Sequence, residues 1–165
     1  MNALDDYLVA PEISLLDKVR IQAQVLVPVL RALRAEFGQD KVDAVAREAL
    51  RDWSRQIFAA AGAAIEGSPR RKWAALQGAL NEATESEVSF ELHRHDKEAL
   101  EFDVTRCRIA EFFRALGEPE LGALLVCATD FDIVAASGDA VSLERAQTIM
   151  NGGPCCTFRY KFGPP

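Results

Sequence analysis

A chain of 165 residues with 19 Lys+Arg against 25 Asp+Glu carries a net charge of −6, and 49% of it is hydrophobic. That is one domain's worth of chain, long enough to bury a core unaided, and a single domain is expected over 1–165, with N-terminal helices at about 14–82 and a sheet with inserted helices at about 86–162. The acidic balance argues against a nucleic-acid binder, which needs a basic face, and the apolar content argues against disorder.

In chain order the first half reads as helix. Met1 to Pro11 is acidic, without the basic and apolar regions of a secretory signal. Ser14 caps a helix to about Phe37, with Leu15, Val19, Val25, Leu26, Val29 and Leu33 near helical spacing and Pro28 expected to kink or split it. A second helix from about Asp40 shows a stripe of Val42, Val45, Ala49, Trp53 and Ile57. Ser68-Pro69 opens a third, through about Leu80.

The period then changes from helical to alternating. Val88, Phe90 and Leu92, then Leu100, Phe102 and Val104, predict an antiparallel hairpin whose turn holds His93 and His95, read as surface histidines. Thr105 is expected to cap a short helix ending at Gly117, and Pro119 to start another reaching about Ala136. Two strands, Ser142 to Met150 and Cys155 to Phe162, close the chain around Asn151-Gly152-Gly153-Pro154. The fold class is therefore α+β: a helical N-terminal layer on a small antiparallel sheet of two hairpins, with two helices inserted between them.

No stretch reaches the ~18 apolar residues of a membrane span, so the reading is a cytoplasmic protein without membrane partners. Thiols there stay reduced, and Cys107, Cys127, Cys155 and Cys156 are read as metal ligands, catalytic thiols or buried hydrophobes, not disulfides. Cys107 falls in the predicted first turn of a helix between Arg106 and Arg108, where dipole and cations favour thiolate, with Glu111 one turn on. Cys127 and Asp130 share a helix face in an apolar run, where a carboxylate must be paired, coordinated or exposed. On the last strand Cys156, Phe158, Tyr160 and Phe162 share one face; Cys155, Thr157, Arg159 and Lys161 take the other.

Three runs carry a resemblance: Thr105-Arg-Cys107 through Glu111 to Gly122, Leu124-Leu-Val-Cys127-Ala-Thr-Asp130, and Arg145-Ala-Gln147 through Gly152 to Cys156-Thr-Phe158-Arg-Tyr160. Together they resemble the L-2-amino-thiazoline-4-carboxylic acid hydrolase family. The resemblance implies hydrolysis of a small cyclic amidine-like centre to a ring-opened N-carbamoyl product, with counterparts for Cys107, Glu111, Cys127, Asp130 and Cys156. Position 155, often His or polar in the family, is Cys155 here; position 157, usually Asp, is Thr157. The fold also resembles vinyl-reductase-type domains that bind small molecules or zinc.

Three readings follow. In the first, Cys107 is the nucleophile, Glu111 or Asp130 handles the proton, Cys156 completes the site, and Arg106, Arg145 or Arg159 holds a substrate carboxylate. In the second, Cys107, Cys127, Asp130 and Cys156 (or Cys155) bind zinc. In the third, the chain is a non-catalytic small-molecule-binding or sensor module, as a homodimer.

Overall fold

The computed structural model describes residues 13–163, so the acidic segment Met1 to Pro11 lies outside the described residues. Ser14 Oγ accepts the Asp17 N–H at 3.1 Å and opens α1 (Leu15–Phe37). Pro28 neither splits nor ends this helix. Pro28 and Gln24, whose carbonyl loses its helical donor, are both exposed, so water can satisfy that oxygen. The buried stripe is Leu16, Val19, Ala23, Val27 and Leu30. The expected Val25, Val29 and Leu33 lie beside it, exposed.

Gly38, at φ 87°, turns the chain into α2 (Gln39–Ala63). Of its expected stripe only Val42 is fully buried; Val45 and Trp53 face outward. Ser68 Oγ and Pro69 start α3 (Pro69–Thr84) as expected. The hairpin follows as β1 (Val88–His95) and β2 (Ala99–Cys107), with His93 and His95 in the strand rather than the turn, because pairing continues to His95 opposite Leu100.

Three boundaries depart from expectation. Thr105 does not cap the next helix, because β2 runs on to Cys107, whose own Sγ accepts the Ala110 N–H at 3.4 Å and caps α4 (Arg108–Ala115). The helix from Pro119 breaks at Val126: α5 (Pro119–Leu125) gives way to a 3-10 segment, Cys127–Ser137. The next strand is short, β3 (Val141–Glu144), and residues 145–155 form a loop that leads into β4 (Cys156–Phe162).

The four strands form one antiparallel sheet in the order β1-β2-β4-β3. Register sets Leu100 opposite Tyr160, Phe102 opposite Phe158 and Val104 opposite Cys156, so one face is apolar. The other carries Glu101, Asp103 and Arg159 in ion pairs, with Arg159 Nη2 at 2.8 Å from Asp103 and His93 Nε2 at 3.1 Å from it. The α+β class is as read from the sequence. Two apolar cores result. One joins α1, α4 and α5 around Phe113 and Leu121; the other joins Trp73 of α3, the sheet's apolar face and Ile133 of the 3-10 segment. Among the described residues no helix is long and apolar enough to cross a membrane.

Candidate active site

A cavity of about 570 Å³ opens between α3, the apolar face of the sheet and the 3-10 segment. Each wall follows from local geometry. On α3, Gln77, Leu80, Asn81 and Thr84 line it at helical spacing. On the sheet, Phe102, Val104, Cys156, Phe158 and Tyr160 line it from one pleat face. Cys127, Asp130 and Ile133 line it from the 3-10 segment, where three residues per turn stack every third side chain in a straight row. Cys107 joins from the junction of β2 and α4.

Cys107, Cys127, Asp130, Arg145 and Cys156 of the candidate set therefore meet on one cavity. The others do not reach it. Arg106 and Glu111 pair with each other at 3.0 Å on the surface, both more than half exposed. Arg159 lies on the sheet's charged face, donating to the Phe102 and Phe158 carbonyls at 2.9 Å. Cys155 accepts from Gln147 Nε2 at 3.1 Å, also away from the cavity lining.

Arg145 is the one basic side chain in the cavity lining among the described residues. It is only 6% exposed, an expensive place for a cation unless its donors are met. Two of them are: it donates to Asp130 and, at 2.8 Å, to the Cys127 carbonyl, and it lies over the rings of Phe131 (4.8 Å) and Phe158 (5.4 Å). Thr157 Oγ1 accepts the Ala146 and Gln147 N–H groups at 3.1 and 3.4 Å, and Cys156 Sγ accepts that of Ile149 at 3.2 Å. These bonds hold the loop that carries Arg145 against β4.

Asp130 is the titratable group poised for proton work. Burial raises its carboxyl to about 6, against the lowering effect of Arg145. What surface it keeps, 37%, belongs to a residue of the cavity wall. The thiols shift the other way from the expectation for Cys107. Burial raises Cys107, Cys127 and Cys156, and the Asp130 charge adds to the rise in each. Arg106 cannot oppose this for Cys107, because it turns outward to Glu111. All three are neutral thiols at neutral pH.

Among the described residues no three His, Cys, Asp or Glu side chains are grouped to hold a metal ion; the candidate zinc ligands share the cavity wall without forming such a group. Sequence reasoning passed over the cavity walls themselves. Phe158 and Tyr160 were visible as the inward face of the last strand, whereas the α3 row had no signal beyond its spacing.

The family model for L-2-amino-thiazoline-4-carboxylic acid hydrolase matches residues 18–160. The chain belongs to that family. The match runs from α1 to β4 and so includes every cavity-lining residue of this hydrolase-family chain except Leu15. A search of curated proteins finds no match to it.

Proposed function

We propose that the chain hydrolyses a small cyclic amidine of the thiazoline type, opening the ring to an N-carbamoyl product. One observation carries this reading: a carboxylate titrating at about 6 sits on the wall of an apolar cavity, locked beside that cavity's one arginine. A base of that strength is half ionised near pH 6 and can still return its proton. In the proposed cycle Asp130 takes a proton from water as the oxygen adds to the amidine carbon, and the C=N π pair moves to the ring nitrogen, which receives that proton from Asp130. The ring C–S bond then breaks and its electron pair leaves with sulfur, while the new hydroxyl becomes the carbonyl and passes its proton through Asp130 to the sulfur. The Arg145 N–H groups not given to Asp130 and the Cys127 carbonyl are the ones that would meet the substrate carboxylate. Water is the proposed nucleophile because each nearby thiol is held protonated by burial.

Turnover of 2-aminothiazoline-4-carboxylate, followed by release of product thiol, tests the reading. The wild-type chain is expected to turn over and Asp130→Asn to lose at least a hundredfold in kcat. Cys107→Ser is expected to keep most of the activity. Its loss, with a covalent adduct on Cys107 in the parent protein, would instead make that sulfur the nucleophile, with Asp130 removing its proton. Ligand binding without turnover would favour a non-catalytic binding module. Metal analysis of the purified chain tests the zinc reading, which predicts one bound ion per chain.

A further inference from the structure

We propose that the substrate bears a flat apolar substituent, such as an aryl ring, and that the Phe90 end of the cavity is built to receive it. The inference rests on the hydrolase reading for the chemistry at Asp130, but the binding it predicts stands without turnover.

Size is the first argument. About 570 Å³ corresponds to roughly 19 waters at about 30 Å³ each, within the range of pockets for drug-sized ligands (about 300–1,000 Å³). A single five-membered ring with one carboxylate would leave most of that space wet. The second argument is composition. The groups suited to an amidine and a carboxylate, Asp130 and Arg145, are neighbours joined by an ion pair. They account for one part of the wall. The remainder includes Leu80, Val88 and the aromatic residues Phe90, Phe102 and Phe158, beside polar Asn81, Thr84 and Glu85, and its apolar part is surface that an uncharged ring would dry out.

The third argument is the state of the aromatics. Phe102 and Phe158 are stacked at 4.9 Å with planes 8° apart, so each turns one face to the other and the pair forms a rigid aromatic part of the cavity wall. Phe90 stands edge-on to Phe102 at 5.8 Å, yet it is 54% exposed although it lines the cavity. A large aromatic left half in water at a cavity wall is surface that a bound ring would cover. The irregularity of β1 between Ser89 and Phe90 is where pairing with β2 shifts register, and such bulges re-aim side chains beside binding sites.

The experiment compares 2-aminothiazoline-4-carboxylate with its 5-phenyl analogue, on the parent chain and on Phe90→Ala and Phe90→Leu, by titration calorimetry and by turnover. The phenyl analogue is expected to bind at least tenfold more tightly than the unsubstituted ring. Phe90→Ala is expected to cut that preference at least fivefold, and Phe90→Leu to restore part of it. If the phenyl analogue binds with this preference and neither compound turns over, the apolar subsite stands and the hydrolase reading falls. If the unsubstituted ring turns over and the phenyl analogue binds no better, the subsite falls and the hydrolase reading stands. A preference indifferent to residue 90 overturns the assignment of the subsite to Phe90.

Discussion

The two apolar cores of this chain are built from similar residues and are finished differently. Around Phe113 and Leu121, both 0% exposed, helix packs on helix, and only the margin of this core at Ile109 and Met150 borders the cavity. Around Phe102 and Cys156 the sheet's apolar face is covered by Trp73 and Ile133 but also faces open space. A closed core can contribute only stability. A core left open on one side gives up part of that stabilisation and gains a surface on which a ligand completes the packing. Substitutions in the two cores should therefore register in different measurements.

The largest effect is expected at the open side. Asp130→Asn should lower kcat by a factor of about 10²–10⁴. It leaves Arg145 its bond to the Cys127 carbonyl, so unfolding measured in parallel separates lost chemistry from lost fold. The parent's rate should rise as pH increases through about 6, where Asp130 becomes the carboxylate that accepts a proton, and then level off. Stability runs the opposite way: a carboxyl raised in the folded state contributes stability present below its ordinary value of 3.8, and that contribution is lost as pH rises through about 6. A rate profile flat across pH 5–7 in the parent would remove Asp130 from its role.

In the closed core, Phe113→Ala should cost about 3–5 kcal/mol, read as a drop in the urea midpoint. Comparable loss from Phe158→Ala would erase the distinction between the cores. Next comes the joint between the helical layer and the cavity wall. Gly62 of α2 packs so closely on the 3-10 segment that an added Cβ would lie 2.3 Å from the Ala136 carbonyl oxygen. Alanine ordinarily favours a helix over glycine by up to about 1 kcal/mol. Here the clash is with backbone, so Gly62→Ala should instead destabilise by about 1–3 kcal/mol. The smallest effect belongs outside both cores. Lys161→Met breaks an exposed pair with Glu144 at 2.6 Å and should change stability by under about 0.5 kcal/mol.

Much of this was legible in the sequence because its signals were local. Strand alternation put Cys156 and Tyr160 on the inner face of β4, and Ser68-Pro69 and Gly38 marked helix ends where they stand. The same alternation set Arg159 apart from Cys156, and the structure places it among the acids of the outer face. What could not be read depends on other elements. Val25, Val29, Val45 and Trp53 are as apolar as the buried stripe, and only packing decides which side of a helix is covered. No Gly or Pro announces the break at Val126, but Cys127 and Asp130, three residues apart, share a face in the 3-10 form as they would in an α-helix. Cys107 was expected to be acidified by its charged neighbours, but sequence adjacency does not set direction: Arg106 turns away and the thiol is buried.

The 3-10 form of Cys127–Ser137 also sets a rule of length. At three residues per turn, adding or removing one residue rotates everything beyond it by about 120°. One deletion between Cys127 and Asp130 would thus swing the carboxylate off the cavity and break the row with Cys127 while both of these site side chains remained in the chain. Insertion of three residues would instead keep the phase. In this wall, chain length is counted in threes, and the site is more exposed to a single lost codon than to many substitutions.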